Sequence, residues 1–237
     1  MTDQSHGVIG MPKPTFDNLP VAKRQLIIDL ALTEFTERPY QAASLSRIVE
    51  QAGIAKGSIY QYFAHKQDFY LFLIDYAVQQ QLALLQAQTP PDPQSGFFAM
   101  LRWQMRASVS VGLATPLLTR LIYRAVTDKL PFRDEVARRI QSAGDEHLRA
   151  LLATAVANGE IEPALDLELT AFVLHQMIGN LHELLLRRQG VTLEEATTDV
   201  ALLSGPATEQ IYDQVIAILQ FGLSPQSRLV QSKGAAS

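Results

Sequence analysis

The chain is predicted to be all-α, and three observations support that prediction. Apolar residues recur at three- and four-residue intervals along most of its length, the spacing of one helical face. Prolines and glycines fall where helices would start and stop. No stretch alternates apolar and polar residues between turn signals, as paired strands do.

The elements follow in order. Residues 1–19 carry one basic residue, Lys13, and no periodic apolar face, and are read as a flexible arm. They have no basic segment ahead of an apolar stretch, so they are not a secretory leader. The first helix is expected from Val21 to Thr36, with Ile27, Leu30, Ala31 and Phe35 facing inward. Ser44 opens a second, its hydroxyl suited to accept from a free first-turn N–H. Leu45, Ile48, Val49 and Ala52 fall at i, i+3, i+4 and i+7. Gly53 then suits the left-handed conformation that ends a helix and turns the chain. Ala55 to Phe63 form a third helix with few residues to bury beyond Ile54, Ile59 and Phe63.

A long helix is expected from about Lys66 to Gln88, stopped by Thr89-Pro90-Pro91-Asp92-Pro93. Further helices are expected at about 94–113, 116–127, 131–158, 166–189 and 206–222. Pro116, Pro131 and Pro206 sit in their first turns, and Asn158-Gly159, Gly190 and Gly222 at ends. Thr192 and Glu195 have capping-box spacing, which places a short helix over 193–203.

Composition narrows the function. The chain has no Cys, which excludes disulfides, thiolate metal sites and cysteine nucleophiles and fits a reducing, cytoplasmic location. No apolar run reaches the ~18–20 residues of a membrane span. The net charge of −4 is unevenly placed: residues 1–68 hold seven charges of each sign, so the excess lies beyond them. Within 44–66, Arg47, Lys56 and Lys66 stand against Glu50 alone. Affinity for DNA depends on local cations at phosphates rather than on whole-chain charge.

Two short helices joined at a glycine turn, the second showing Lys56, Gly57, Ser58, Tyr60, Gln61 and Tyr62, suit a helix lying in the major groove. One apolar side docks it on its own domain, and ammonium, hydroxyl and amide groups face outward. At ALTEF (31–35), SLSRIVEQAG (44–53), KGSIYQYF (56–63) and HKQDF (65–69) the chain resembles the TetR family of transcriptional regulators. The resemblance is close over roughly residues 20–75; beyond them only helical character and length agree. The chain departs from the family pattern at Ala55, where a Ser, Thr or Pro usually starts the recognition helix. A lost capping hydroxyl costs about 1 kcal/mol. Gln61 stands where a His is usual, and its amide can bond adenine in a bidentate way.

The resemblance implies an N-terminal three-helix helix-turn-helix DNA-binding domain (20–66) and a larger helical effector-binding and dimerisation domain (67–225). A flexible tail (226–237) would follow. By resemblance and chemistry together, Lys56, Gly57, Ser58 and Gln61 are candidates for base edges. Tyr60, Tyr62, Lys66, Ser44, Ser46 and Arg47 are candidates for phosphates. Against this, one of Tyr60 and Tyr62 would pack inward, and Lys56 and Lys66 would be merely solvated.

Residues 167–186 and 211–221 are apolar on more than one side. They are either interior helices or one half of a four-helix interface with a second copy; the resemblance favours the homodimer, on a palindromic operator in double-stranded DNA. The resemblance further implies a pocket for a small, largely apolar effector, with Met100, Trp103, Tyr123, Phe172, His175 and Met177 as candidate lining. Read from the residues alone, such a stripe, with Phe97, Phe98, Met105 and Phe132, is ordinary core. Arg102, Arg106, Arg120 and Arg124 would receive a ligand carboxylate or form internal ion pairs. His175 and His182 share a helical face, but no third metal ligand is evident, so neither metal nor cofactor is expected. No nucleophile–base pair, phosphate loop or HExxH-like signature marks an enzyme. The expected function is regulation of transcription, probed against an all-helical adaptor or ligand-binding protein without DNA activity.

Overall fold

The structure is a computed structural model and describes residues 12–55, 57–198, 200–203 and 205–222. Lys56, the first eleven residues and the expected tail at 226–237 therefore lie outside the described residues. The fold is all-α: among the described residues there are eleven α-helices, two 3₁₀ turns and no strand. The chain forms two compact units.

The first unit holds the described residues up to Ala87 together with Val111–Leu148. Its helices are α1 (Pro14–Asp17), α2 (Val21–Glu37), α3 (Leu45–Gln51), α4 (Ser58–Tyr62), α5 (Lys66–Gln86) and α7 (Pro116–Thr127). α7 packs on α2 and α5, so the compact unit around the helix-turn-helix is larger than residues 20–66. The core joins Ile27, Ala31 and Phe35 of α2, Ile48 and Val49 of α3, and Ile59 of α4. It continues into Phe69, Leu73 and Ile74 of α5 and Leu121 and Ala125 of α7. This is the i, i+3, i+4 face read from the sequence. Gly53 has φ +63°, the left-handed turn conformation that only glycine adopts readily.

The second unit holds Gln88–Ser110 and the described residues from Arg149 on. It contains most of α6 (Phe97–Ala114), the end of α8 (Arg133–Ala157), α9 (Leu167–Gln189), α10 (Leu193–Thr198) and α11 (Pro206–Phe221). Asp166 caps α9, accepting from the backbone N–H of Glu168 and Leu169. The expected capping box ahead of α10 is present: Thr192 N–H donates to Glu195 Oε2 at 2.7 Å, and Glu195 N–H to Thr192 Oγ1 at 3.2 Å. The Thr192 N–H and hydroxyl, both donating to Glu195 Oε2, hold that carboxyl below the ordinary value. Pro116 and Pro206 begin their helices as expected, whereas Pro131 lies ahead of α8 in a turn. Among the described residues, no helix is long and apolar enough to cross a membrane.

Two expectations fail at the N-terminus of the first unit. Residues 13–19 are not a free arm: Phe16 is fully buried and Leu19 partly so. Pro14 is suited to a first helical turn, and Phe16 fills a gap among Tyr62, Phe63 and Phe72. The helix expected from Ala55 to Phe63 also starts at Ser58 and has five residues. No side chain caps its start, where Gly57 stands at the N-cap. The chain instead turns through a backbone bond from Ser58 N–H to Ala55 C=O, 2.8 Å.

Candidate nucleic-acid interface

The surface of α4 divides cleanly. Ile59 and the following Phe63 are 1% exposed and anchor it to the core. Tyr60 is 56% exposed, Gly57 and Gln61 are exposed, and Ser58 is half-buried. A Cβ at Gly57 would meet no atom within 4 Å, so glycine there leaves the outer surface open to a close partner. Ser46 on α3 is exposed as well. These are amide, hydroxyl and phenol groups that can bond a base edge or a phosphate.

Four of the expected phosphate ligands are otherwise engaged. Tyr62 is 8% exposed, with its ring 5.6 Å from that of Phe16; it is the tyrosine that packs inward. Arg47 is bound to Glu34: its Nε donates to both carboxylate oxygens at 3.0 and 3.1 Å, and a terminal nitrogen to Oε1. A terminal nitrogen also donates to Ala42 C=O at 2.9 Å. Lys66 Nζ donates to Ala43 C=O at 2.6 Å and Gln41 C=O at 3.3 Å, and lies 4.6 Å from the Tyr40 ring centre. Burial holds its ammonium below the ordinary lysine value, Glu34 opposing and Arg47 adding to that shift. Ser44 stands at the N-cap of α3, but its side chain makes no capping bond. Its N–H instead donates to Glu34 Oε1 at 2.7 Å.

Glu34 is the centre of this arrangement and was missed in the sequence. Burial alone would raise its pKa, but the Arg47 and Ser44 hydrogen bonds and the charges of Arg47 and Arg38 hold the carboxyl below its ordinary 4.5. The signal was legible: Glu34 falls three residues after Ala31 and seven after Ile27, on the inward face of the helix. A carboxylate there needs buried partners. Lys13, Thr15 and Phe16, which contact α4, were missed too. Pro14 followed by a lone Phe16 was the available signal.

The effector candidates divide between the two units. Met100, Trp103, His175 and Met177 are half-buried in the second unit. Phe172 is 46% exposed, on the face of α9 opposite its buried residues Ala171, Leu174 and Ile178. Tyr123 is 43% exposed and belongs to the first unit. Three arginines weighed as carboxylate receivers form internal ion pairs: Arg102 with Glu209 and Asp213, Arg106 with Glu209, and Arg124 with Asp128. Burial pushes the His182 imidazole below its ordinary 6.5. No group of three or more metal-ligating side chains occurs among the described residues.

Residues 27–71 match the family of bacterial regulatory proteins, tetR family. The structure aligns with the crystal structure of a TetR family transcriptional regulator from Chloroflexus aurantiacus J-10-FL at TM-score 0.69. The two are 39% identical, covering 90% of this chain and 98% of that one. The HTH-type transcriptional repressor KstR of Mycobacterium tuberculosis (strain ATCC 25618 / H37Rv) is 25% identical over 183 residues, 76% of this chain and 79% of KstR. The fatty acid metabolism regulator protein of Bacillus subtilis (strain 168) is 41% identical over 51 residues, 22% of this chain and 26% of that protein. With a helix-turn-helix that leaves a polar reading surface open to solvent, the chain belongs to the TetR family of DNA-binding transcriptional regulators.

Proposed function

We propose that this regulator represses transcription as a cytoplasmic homodimer. Gly57, Ser58 and Gln61 of each copy, with the neighbouring Lys56, read base edges in half of a palindromic operator, while Tyr60 and Ser46 hold phosphates. The observation that carries this reading is the exposure of Tyr60 and Gln61 beside a fully buried Ile59: the helix is anchored by one side and open on the other. With Arg47 and Lys66 bonded to other groups of the protein, few cations beside α4 are left for phosphates among the described residues, so one head binds weakly and two are needed for useful affinity.

The functional division places reading in residues 20–66 and dimerisation with effector binding in 67–225. Large apolar residues stand exposed on α9 and α11: Leu169, Phe172, Val173, Ile218 and Phe221. They fit a self-complementary interface about a twofold axis. A small, largely apolar effector held against Met100, Trp103, His175 and Met177 would release the operator by altering the relation of the two heads, a coupling between separate sites. The chain is not an enzyme in this reading. Selection of bound sequences from a random duplex pool tests it. A palindromic consensus is expected; enrichment of nothing, at low salt, would end the proposal and leave the helix-turn-helix as a protein-binding adaptor.

A further inference from the structure

A helix of five residues cannot hold itself together, because forming one turn fixes more of the chain than its few internal bonds repay. Its last carbonyls also lack intrahelical partners. In α4 these are the carbonyls of Ile59, Tyr60, Gln61 and Tyr62. Phe63 N–H donates to Ile59 C=O at 2.9 Å. The other three each receive a donor from a segment more than forty residues away. Lys13 Nζ donates to Tyr60 C=O at 2.8 Å, Thr15 Oγ1 to Gln61 C=O, and Lys13 N–H to Tyr62 C=O at 2.8 Å. The set of orphan acceptors is thus completely filled. The Lys13 ammonium also lies at the helix end where the backbone dipole favours a cation.

The segment is itself anchored. Phe16 is 0% exposed, with ring centres 5.6, 5.0 and 5.4 Å from Tyr62, Phe63 and Phe72. Phe16 N–H donates to Lys13 C=O at 2.8 Å, closing the turn that presents Lys13 and Thr15. Arg24 of α2 donates to Asp17 C=O at 3.2 Å and ties the far end down. The family match begins at residue 27, so this brace lies outside the part of the chain that it covers.

We infer that Lys13, Thr15 and Phe16 are positioning residues for DNA reading: they supply the C-terminal cap of the recognition helix and set the angle at which Tyr60 and Gln61 meet the duplex. The inference rests on α4 being the reader. Uncapped carbonyls let the last turn fray, and fraying spreads the exposed side chains over several orientations. Operator binding, which needs one orientation, then weakens, whereas binding to random duplex, which needs only charge, does not.

The test uses the full-length protein and Thr15→Val, which removes one donor at nearly constant volume. Hydrogen exchange of the free protein is read at the amides of Lys13 and residues 60–63. Affinities are then measured for the selected operator and for a random duplex. One lost hydrogen bond predicts exchange about three- to tenfold faster at these amides, and an operator affinity lower by about the same factor with random duplex unchanged. Phe16→Ala, with a cavity under the turn, should exceed both effects. Unchanged exchange in Thr15→Val overturns the brace. So does faster exchange with an unaltered operator-to-random ratio. Equal losses on both duplexes overturn it as well, since they would make Thr15 a direct phosphate contact. Gln61→Ala in the same binding assay reports on α4 as the reader. A failure of that reading therefore appears there and not in the exchange data.

Discussion

Gln61 and Lys66 show how far a residue's role can be read from its type. Both are polar residues of the helix-turn-helix region, and both were candidates for DNA contacts. Gln61 is exposed, so its amide is available to a base. Lys66 spends its charge on Ala43 C=O, Gln41 C=O and the Tyr40 ring. The two substitutions should therefore separate. Gln61→Ala should lose about 1–3 kcal/mol of operator preference, the worth of a bidentate base contact, with random-duplex affinity unchanged in a binding titration. Lys66→Met should instead cost about 1.5–3 kcal/mol of folding stability, the worth of charge-assisted bonds, seen as a lower urea midpoint. Its dependence of DNA affinity on salt should stay that of the wild type, because no phosphate contact is lost. A shallower salt slope for Lys66→Met would return that lysine to the phosphates. The sequence showed which residue types stood at these positions but not their partners. The carbonyls that engage Lys66 belong to a loop about 25 residues away, and no local pattern announces them.

At the scale of elements, helix positions were largely legible because they depend on local chemistry. The bounds of α2 and α5, the proline starts of α7 and α11 and the capping box of α10 follow from spacing and punctuation within a few residues. What could not be read was anything set by distant chain. α4 begins behind Gly57, an N-cap with no side chain, yet it persists because Lys13 and Thr15 fill its far end. The mutual placement of α2 and α3 likewise depends on Glu34, whose carboxylate joins Arg47 and the Ser44 N–H. This joint has a pH signature. The Glu34 pKa is below its ordinary 4.5 in the folded chain, so the unfolded chain binds the proton more readily. Its contribution is present above pH 4.5 and is lost as pH falls through the lower, folded value. Glu34→Gln keeps an acceptor for Ser44 but not the charge. The difference in urea midpoint between wild type and Glu34→Gln should be constant at neutral pH and shrink as pH drops below 4.5. A difference that is the same at pH 3 and pH 7 would show that the Glu34 charge contributes nothing.

For the whole molecule, the question is what covers α9. Its buried residues, Ala171, Leu174, Ile178, Leu181 and Leu185, lie on one side. Leu169, Phe172 and Val173 lie on the opposite side at i, i+3 and i+4 and are 60, 46 and 50% exposed. A single chain gains nothing by ordering three large apolar side chains toward water, and contiguous patches of this kind mark association surfaces. Ile218 and Phe221 on α11 extend the apolar surface available in the same unit. A twofold axis through this face would let each copy cover the other, as closed dimers do, and would put two reading heads on one duplex. Phe172, first considered as pocket lining, then becomes an interface residue. The double substitution Leu169→Glu/Val173→Glu places charges on that face without touching the core. Light scattering should give the mass of a single chain at micromolar concentration, with a melting temperature close to that of the wild-type subunit. Operator affinity should fall by about 10²–10⁴-fold, the advantage of binding with two linked heads, and approach the affinity for a half-site. A variant that stays dimeric with full operator affinity would move the interface off α9. One that becomes monomeric but keeps full operator affinity would show that a single head suffices.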